Sequence, residues 1–155
     1  MSRPGTGLLL DSGILAQLRG SAPDRAVVAF LRRRAHRVLY VSVLSLGELA
    51  ARFPGPETDR WLDELAERFR GHLLPVDDAV ARAWAARPLP AGPAGLRSVA
   101  DDEEPSEAPG ETAGPEDGVH GLLAATARVH GLTVVSVQAA AYRAWGVEAL
   151  DPAED

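Results

Sequence analysis

The sequence contains no cysteine, which excludes disulfide scaffolds, cysteine-ligated zinc or iron–sulfur sites, and thiol catalysis. No apolar run approaches the roughly 18 residues of a membrane span, and the first seven residues lack the apolar stretch of a signal peptide. We therefore expect a cytoplasmic protein with no membrane contact. The 155 residues fit one domain, and folding at that size hides roughly 68–70% of the unfolded chain's surface. A core can therefore form without disulfides or a structural metal.

Lysine is absent as well, and all 16 basic residues are arginine. The formal net charge of −6 has a local origin, because eight acidic residues and no basic residue lie between positions 98 and 118. Outside that stretch, 14 acidic residues stand against 16 arginines. The rest of the chain therefore carries no net negative charge that would repel nucleic acid.

The acidic stretch belongs to a longer segment that is rich in proline, glycine, alanine and glutamate and has few large apolar residues. Such a composition buries too little apolar surface to offset the entropy cost of ordering. We predict a disordered insertion at about 88–117 inside a single domain that spans residues 1–155. Its negative charge could repel nucleic acid from a neighbouring groove, or occupy that groove in place of nucleic acid.

Short apolar segments alternate with helical patterns on both sides of this insertion. The alternation predicts an α/β domain with a mainly parallel sheet. Strands are predicted at 7–10, 38–43, 72–76, 132–137 and 147–150, and helices at 14–19, 26–36, 45–53, 58–71, 78–86 and 119–130.

Two acidic residues follow predicted strands. The ligand cleft of an open parallel sheet lies beyond the carboxyl ends of its strands, where Asp11 follows the first strand and Glu48 lies in the first turn after the second. Each has a structural alternative. Asp11 can be the N-cap of the next helix, and Ser45 with Glu48 fits a capping box, in which the glutamate reaches back to the backbone of the capping serine.

Four segments carry a recognisable pattern: LLLDSG at 8–13, LYVSVLSLGEL at 39–49, LPVDDAVA at 74–81 and GLLAATARVHGLTVV at 121–135. In this order they resemble the PIN-domain family, and in particular the VapC-type toxins of toxin–antitoxin pairs. The resemblance implies a three-layer α/β/α sandwich and a ribonuclease in which clustered acids hold one or two Mg²⁺ or Mn²⁺ ions. It also implies a homodimer and a small antitoxin as partners, with RNA as the substrate.

The same resemblance makes Asp11 and Glu48 the family's first two acids, with catalytic and metal-binding roles. His120 stands at the position of the third acid, and the fourth acidic region reads Ser136-Val137-Gln138. Two carboxylates balance one divalent cation and not two, so we expect weak or lost catalysis, with Mg²⁺ or Mn²⁺ as cofactor if the site is active and none otherwise. The alternatives are an active endoribonuclease toxin that uses Asp11 and Glu48, and a non-catalytic regulatory or partner-binding module.

Two further residues are candidates for the missing ligands. Asp117 could supply a carboxylate, or it could be a helix N-cap or simply the end of the acidic insertion. His120 could join Asp11 and Glu48 in a site for Mn²⁺ or Zn²⁺, or it could be a half-exposed residue in the first turn of its helix.

The densest basic run lies at the end of the second predicted helix and comprises Arg32, Arg33, Arg34 and Arg37. These arginines could contact RNA phosphates. The alternative is a solvated helix end, where basic residues also suit the helix dipole.

Overall fold

The computed structural model describes residues 7–86 and 115–154, and for residues 115–117 it describes only the helical backbone. The predicted insertion at 88–117 therefore lies outside the described residues, apart from its last three positions. Those three positions belong to a helix, and the disordered insertion stays a prediction.

The strands form one parallel sheet in the order β3-β2-β1-β4-β5. Central β1 pairs with a strand on each side, so that Leu10 lies opposite Val41 of β2 and Val135 of β4. Each predicted strand is present, with shorter bounds: β1 (Leu8–Leu10), β2 (Leu39–Ser42), β3 (Leu73–Leu74), β4 (Thr133–Val135) and β5 (Ala149–Leu150).

The α-helices also follow the predicted order, with one addition, and a short 3-10 helix (Pro152–Glu154) follows β5. A five-residue helix follows β4 that the sequence did not predict, and its N-cap residue Gln138 makes no side-chain capping bond. Within the described ranges, no helix is long and apolar enough to span a membrane. The helices are α1 (Ser12–Gln17), α2 (Arg25–Arg33), α3 (Val43–Arg52), α4 (Pro56–Arg68), α5 (Asp78–Ala85), α6 (Pro115–His130) and α7 (Ala139–Arg143).

The sheet separates two hydrophobic clusters, because successive strand residues point to opposite faces. Leu8 and Leu10 of β1 belong to a cluster with residues of α1 to α4. Leu9 belongs to the other cluster, with residues of α6 and α7. Helices thus cover both faces of a parallel sheet, which confirms the three-layer α/β/α sandwich.

Helix α3 begins immediately after β2, without a connecting loop. The hydroxyl of Ser42 accepts a hydrogen bond from the backbone N–H of Leu44 at 3.1 Å, so Ser42 is the N-cap. The predicted capping box is therefore wrong: Ser45 lies inside the helix, and Glu48 lies in its second turn rather than its first. Ser45 is fully buried, and its hydroxyl is the only buried side-chain polar atom without a hydrogen-bond partner in the described part of the chain.

We expect Ser45→Ala to raise the free energy of unfolding by about 1 kcal/mol, because it removes an unsatisfied buried hydroxyl and adds a better helix former. Urea unfolding monitored by circular dichroism measures the change. As the matched control, Ser42→Ala should lower stability by about 1 kcal/mol, because it removes the true cap. A loss of stability in Ser45→Ala would instead support the capping box.

Helix α6 approaches its neighbours closely at Gly121. A Cβ atom at this position would lie 2.5 Å from the ring of Trp145 and 3.0 Å from the indole nitrogen of Trp84. The absence of a side chain therefore lets α6 pack against α5 and against the segment that follows α7. This packing fixes the position of the preceding residue, His120.

We expect Gly121→Ala to lower the free energy of unfolding by about 1–3 kcal/mol, because the Trp145 ring must move to admit the methyl group. Gly47→Ala is the control, since Gly47 lies within α3 and has open space around its Cβ position. That change should raise stability by up to about 1 kcal/mol. Equal effects of the two changes in thermal unfolding would contradict the packing argument.

Candidate active site at the carboxyl edge of the sheet

Asp11 follows β1 directly and is 6% exposed. Its backbone N–H donates to the carbonyl of Val135, and its Oδ1 accepts a hydrogen bond from the backbone N–H of Ile14 at 2.9 Å. Asp11 is therefore the N-cap of α1, as one sequence alternative held. The carboxylate also lines a cleft, so the capping role and the site position coexist.

The cleft has a volume of about 660 Å³ and opens beyond the carboxyl ends of β1, β2 and β4. This is the edge at which α/β sheets bind ligands. Its walls come from α1, α3, α6 and the segment from β4 to α7. The polar lining residues are Asp11, Ser12, Gln17, Glu48, Arg52, His120, Gln138 and Tyr142.

The carboxylate of Asp11 meets neutral donors in this cleft. Burial raises the pKa of Asp11 above its ordinary value, whereas hydrogen bonds from the hydroxyls of Ser136 and Tyr142 and the nearby His120 lower it. Burial is the larger effect, because removing a carboxylate from water disfavours its charged form. Ionised Asp11 therefore costs free energy in the folded state, and the surrounding groups offset only part of that cost.

Glu48 projects into the same cleft from α3 and is half-buried. Burial and the negative charge of Asp11 raise the pKa of Glu48. A hydrogen bond from Ser12 and the charges of His120 and Arg52 lower it. The structure therefore brings together Asp11 and Glu48, as predicted, close enough for their charges to repel.

His120 also lines the cleft, in the second turn of α6 and not the first, because this helix begins at Pro115. Its ring makes an edge contact with Tyr142, with ring centroids 5.0 Å apart at 74°. Burial, with the charges of Asp11 and Glu48, raises the pKa of Tyr142 above its ordinary value, so the hydroxyl remains a neutral donor.

Sequence reasoning missed Tyr142 as a site residue, because the helical spacing of the aromatic residues indicated only a core or interface position. It is a core residue, 1% exposed, that lines the cleft together with Asp11. Arg52 was missed as well, although its position one helical turn after Glu48 was a usable signal. Ser12 and Ser136, beside β1 and β4, are further contacts that the motif alone did not assign.

The donor set limits what metal the cleft can hold. Among the side chains that the structure describes, no group of three histidines, aspartates or glutamates is arranged to bind a metal ion. Asp117 lies within the first turn of α6, which excludes the N-cap alternative, and its side chain is outside the described residues. Two carboxylates fit one hard divalent cation, completed by water or phosphate oxygens, and do not fit a pair of cations.

The basic run lies elsewhere. Arg37 stands two residues before β2, so the end of α2 lies at the amino edge of the sheet, opposite the cleft. The guanidinium of Arg34 stacks 3.8 Å from the centroid of the Phe30 ring. RNA contact by Arg32, Arg33, Arg34 and Arg37 remains a prediction, and the arginine that lines the cleft is Arg52.

We expect Asp11→Asn to raise the free energy of unfolding at neutral pH, because asparagine keeps the N-cap and removes a buried charge. The raised pKa means that the folded state holds the proton more tightly than the unfolded state, so ionisation destabilises the protein as pH rises. The gain should therefore vanish below the unfolded pKa of about 3.8. Urea unfolding at pH 7 and about pH 3 tests this, with the exposed cap change Asp24→Asn as control. An equal gain at both pH values would contradict the electrostatic cause.

No protein-family model matches the chain. Individual known proteins, however, match it over nearly its whole length. VapC ribonuclease Y4jK of Sinorhizobium fredii is 29% identical over 147 residues, which cover 95% of this chain and 98% of that protein.

Solved structures show the same fold. FitAcB from Neisseria gonorrhoeae has a TM-score of 0.65 and 25% identity, covering 96% of this chain and 99% of that one. FitAB bound to an IR36 DNA fragment has a TM-score of 0.63 and 22% identity, covering 94% of each chain. DNA-bound VapBC from Salmonella typhimurium has a TM-score of 0.56 and 14% identity, covering 95% of this chain and 98% of that one. By the match in sequence and the shared sandwich, the chain is similar to VapC-type proteins of the PIN-domain family.

Proposed function

We propose that this chain is a VapC-like RNA-binding protein whose ribonuclease site is incomplete and whose catalysis is far weaker than that of a four-acid site. One observation carries the proposal. Only Asp11 and Glu48 bring carboxylates into the cleft among its described lining residues, where His120 and Gln138 occupy the positions expected for further acids.

The cleft can bind an RNA phosphate with the side chains it has. Arg52 and the amide of Gln138 supply donors for phosphate oxygens, and Asp11 and Glu48 would hold a single Mg²⁺ or Mn²⁺. Such a cation, when bound, neutralises charge on the phosphate and lowers the pKa of a bound water. Two carboxylates supply half the charge of a four-acid site, so the affinity for this cation is correspondingly low.

The comparisons support partners as well as substrate. The relative is named a VapC ribonuclease, and VapBC and FitAB are complexes of which DNA-bound structures exist. We propose that this chain acts in the cytoplasm, forms a homodimer and pairs with a small antitoxin protein. Loss of catalysis would leave it a regulatory module that retains these contacts.

Restoring the third acid tests the proposal by gain of function. We expect purified His120→Asp to cleave a mixed RNA pool that includes transfer RNA more than about tenfold faster than the unmodified protein with Mg²⁺ or Mn²⁺, because a third carboxylate strengthens cation binding. Cleavage should require both the metal and Asp11. The measurement is the initial rate from gel-resolved fragments, with a chelator and Asp11→Ala as blanks.

His130→Asp is the matched control, since it places the same change at the exposed far end of α6. It should leave the rate unchanged. Rapid, metal-dependent cleavage by the unmodified protein would show that two carboxylates suffice and would overturn the weak-catalysis proposal. No cleavage by any variant, with folding confirmed by circular dichroism, would favour the non-catalytic module.

A further inference from the structure

Two arginines share one aromatic ring at the rim of the cleft. Phe53 is the C-cap residue of α3 and directly follows Arg52, which lines the cleft. The guanidinium carbon of Arg52 lies 5.8 Å from the centroid of the Phe53 ring, and that of Arg19 lies 5.0 Å from it. Both distances fall within the range of an attractive cation–π contact. The ring therefore holds two positive charges near each other, one lining the cleft and the other just beyond its lining.

Neutral groups fix Arg19 in place. Its guanidinium also lies 5.3 Å from the centroid of the Trp61 ring, and it donates a hydrogen bond to the hydroxyl of buried Thr58 at 3.0 Å. In the part of the chain that the structure describes, neither Arg19 nor Arg52 forms an ion pair with a carboxylate. A guanidinium presents several N–H donors, so the bond to Thr58 leaves donors of Arg19 for an anion.

This arrangement suits a phosphate chain. Two neighbouring cations repel each other, and an anion beside them relieves that repulsion. A planar guanidinium matches the oxygens of a phosphate in a bidentate geometry. Because the rings already restrict the Arg19 side chain, less conformational freedom is lost when it binds a ligand. A polyanion with successive phosphates can contact both arginines, whereas a single phosphate in the cleft contacts only Arg52.

We propose that an RNA strand leaves the cleft across Arg52 and Arg19, and that Arg19 binds the phosphate of a nucleotide outside the cleft. The inference rests on the RNA binding proposed above. It adds a contact beyond the cleft and a direction for the strand, toward α4, which carries Thr58 and Trp61. It also requires RNA affinity to rise with length, because a dinucleotide can occupy the cleft without reaching Arg19.

The experiment measures the affinity of the full-length protein for a single-stranded RNA hexanucleotide by fluorescence anisotropy, without divalent cations so that cleavage does not interfere. Salt is varied between about 50 and 200 mM, because each phosphate contact on a single strand adds about 0.7 to the slope of log affinity against log salt. We expect Arg19→Gln to lower this slope by about 0.7 and to weaken binding about tenfold at the lower salt concentration. Its affinity for a dinucleotide should be unchanged.

Arg68→Gln is the matched control, because it removes the same charge at the exposed far end of α4. It should leave the affinity and the slope unchanged. Thr58→Val tests a purely structural role, since it removes the hydrogen bond to Arg19 but keeps the charge. It should lower the melting temperature and leave the slope unchanged. The inference is overturned if Arg19→Gln behaves like Arg68→Gln, or if Thr58→Val lowers the slope as much as Arg19→Gln does.

Arg52→Gln separates this inference from the proposed function. If Arg52→Gln weakens the binding of both RNAs while Arg19→Gln changes neither, RNA binding in the cleft stands and only the path across Arg19 fails. If the unmodified protein binds neither RNA, the proposed RNA binding fails and the inference fails with it. If circular dichroism shows that Arg19→Gln does not fold, the unmodified protein decides. A steeper slope for the hexanucleotide than for the dinucleotide supports the path, and equal slopes and affinities overturn it.

Discussion

The buried carboxylate of Asp11 joins the fold to the site. Its Oδ1 caps α1 through the N–H of Ile14, while its backbone N–H donates to the carbonyl of Val135. One residue thus connects β1, α1 and the end of β4. A neutral residue could cap the helix equally well, so the cap by itself does not require a buried charge.

The negative charges in the cleft repel each other and are only partly compensated. Two carboxylates repel each other at short range, and burial increases the cost of both charges. A cation would relieve this repulsion directly, whereas the hydroxyls, His120 and Arg52 relieve it in part. The charges of Asp11 and Glu48 are therefore compensated in part by groups of the chain itself.

The parallel topology explains why residues far apart in sequence meet here. All strands of the sheet point the same way, so the segments after β1, β2 and β4 converge at one edge. α6 reaches that edge because Gly121 admits the indole rings of Trp84 and Trp145 against its backbone. The same topology sends the arginines at the end of α2 to the opposite edge.

The sequence alone determined the α/β class, the succession of strands and helices along the chain, and the grouping of Asp11, Glu48 and His120 at one cleft, because these depend on local apolar patterns and on motif register. Only the tertiary structure decided where α3 begins. Ser42 and Ser45 are equally good N-caps in isolation, and α3 begins after Ser42, where β2 ends. It also decided that Tyr142 lines the cleft with Asp11, because a buried aromatic looks the same in sequence whichever cavity it faces. Such contacts depend on packing between distant segments, which no local pattern records.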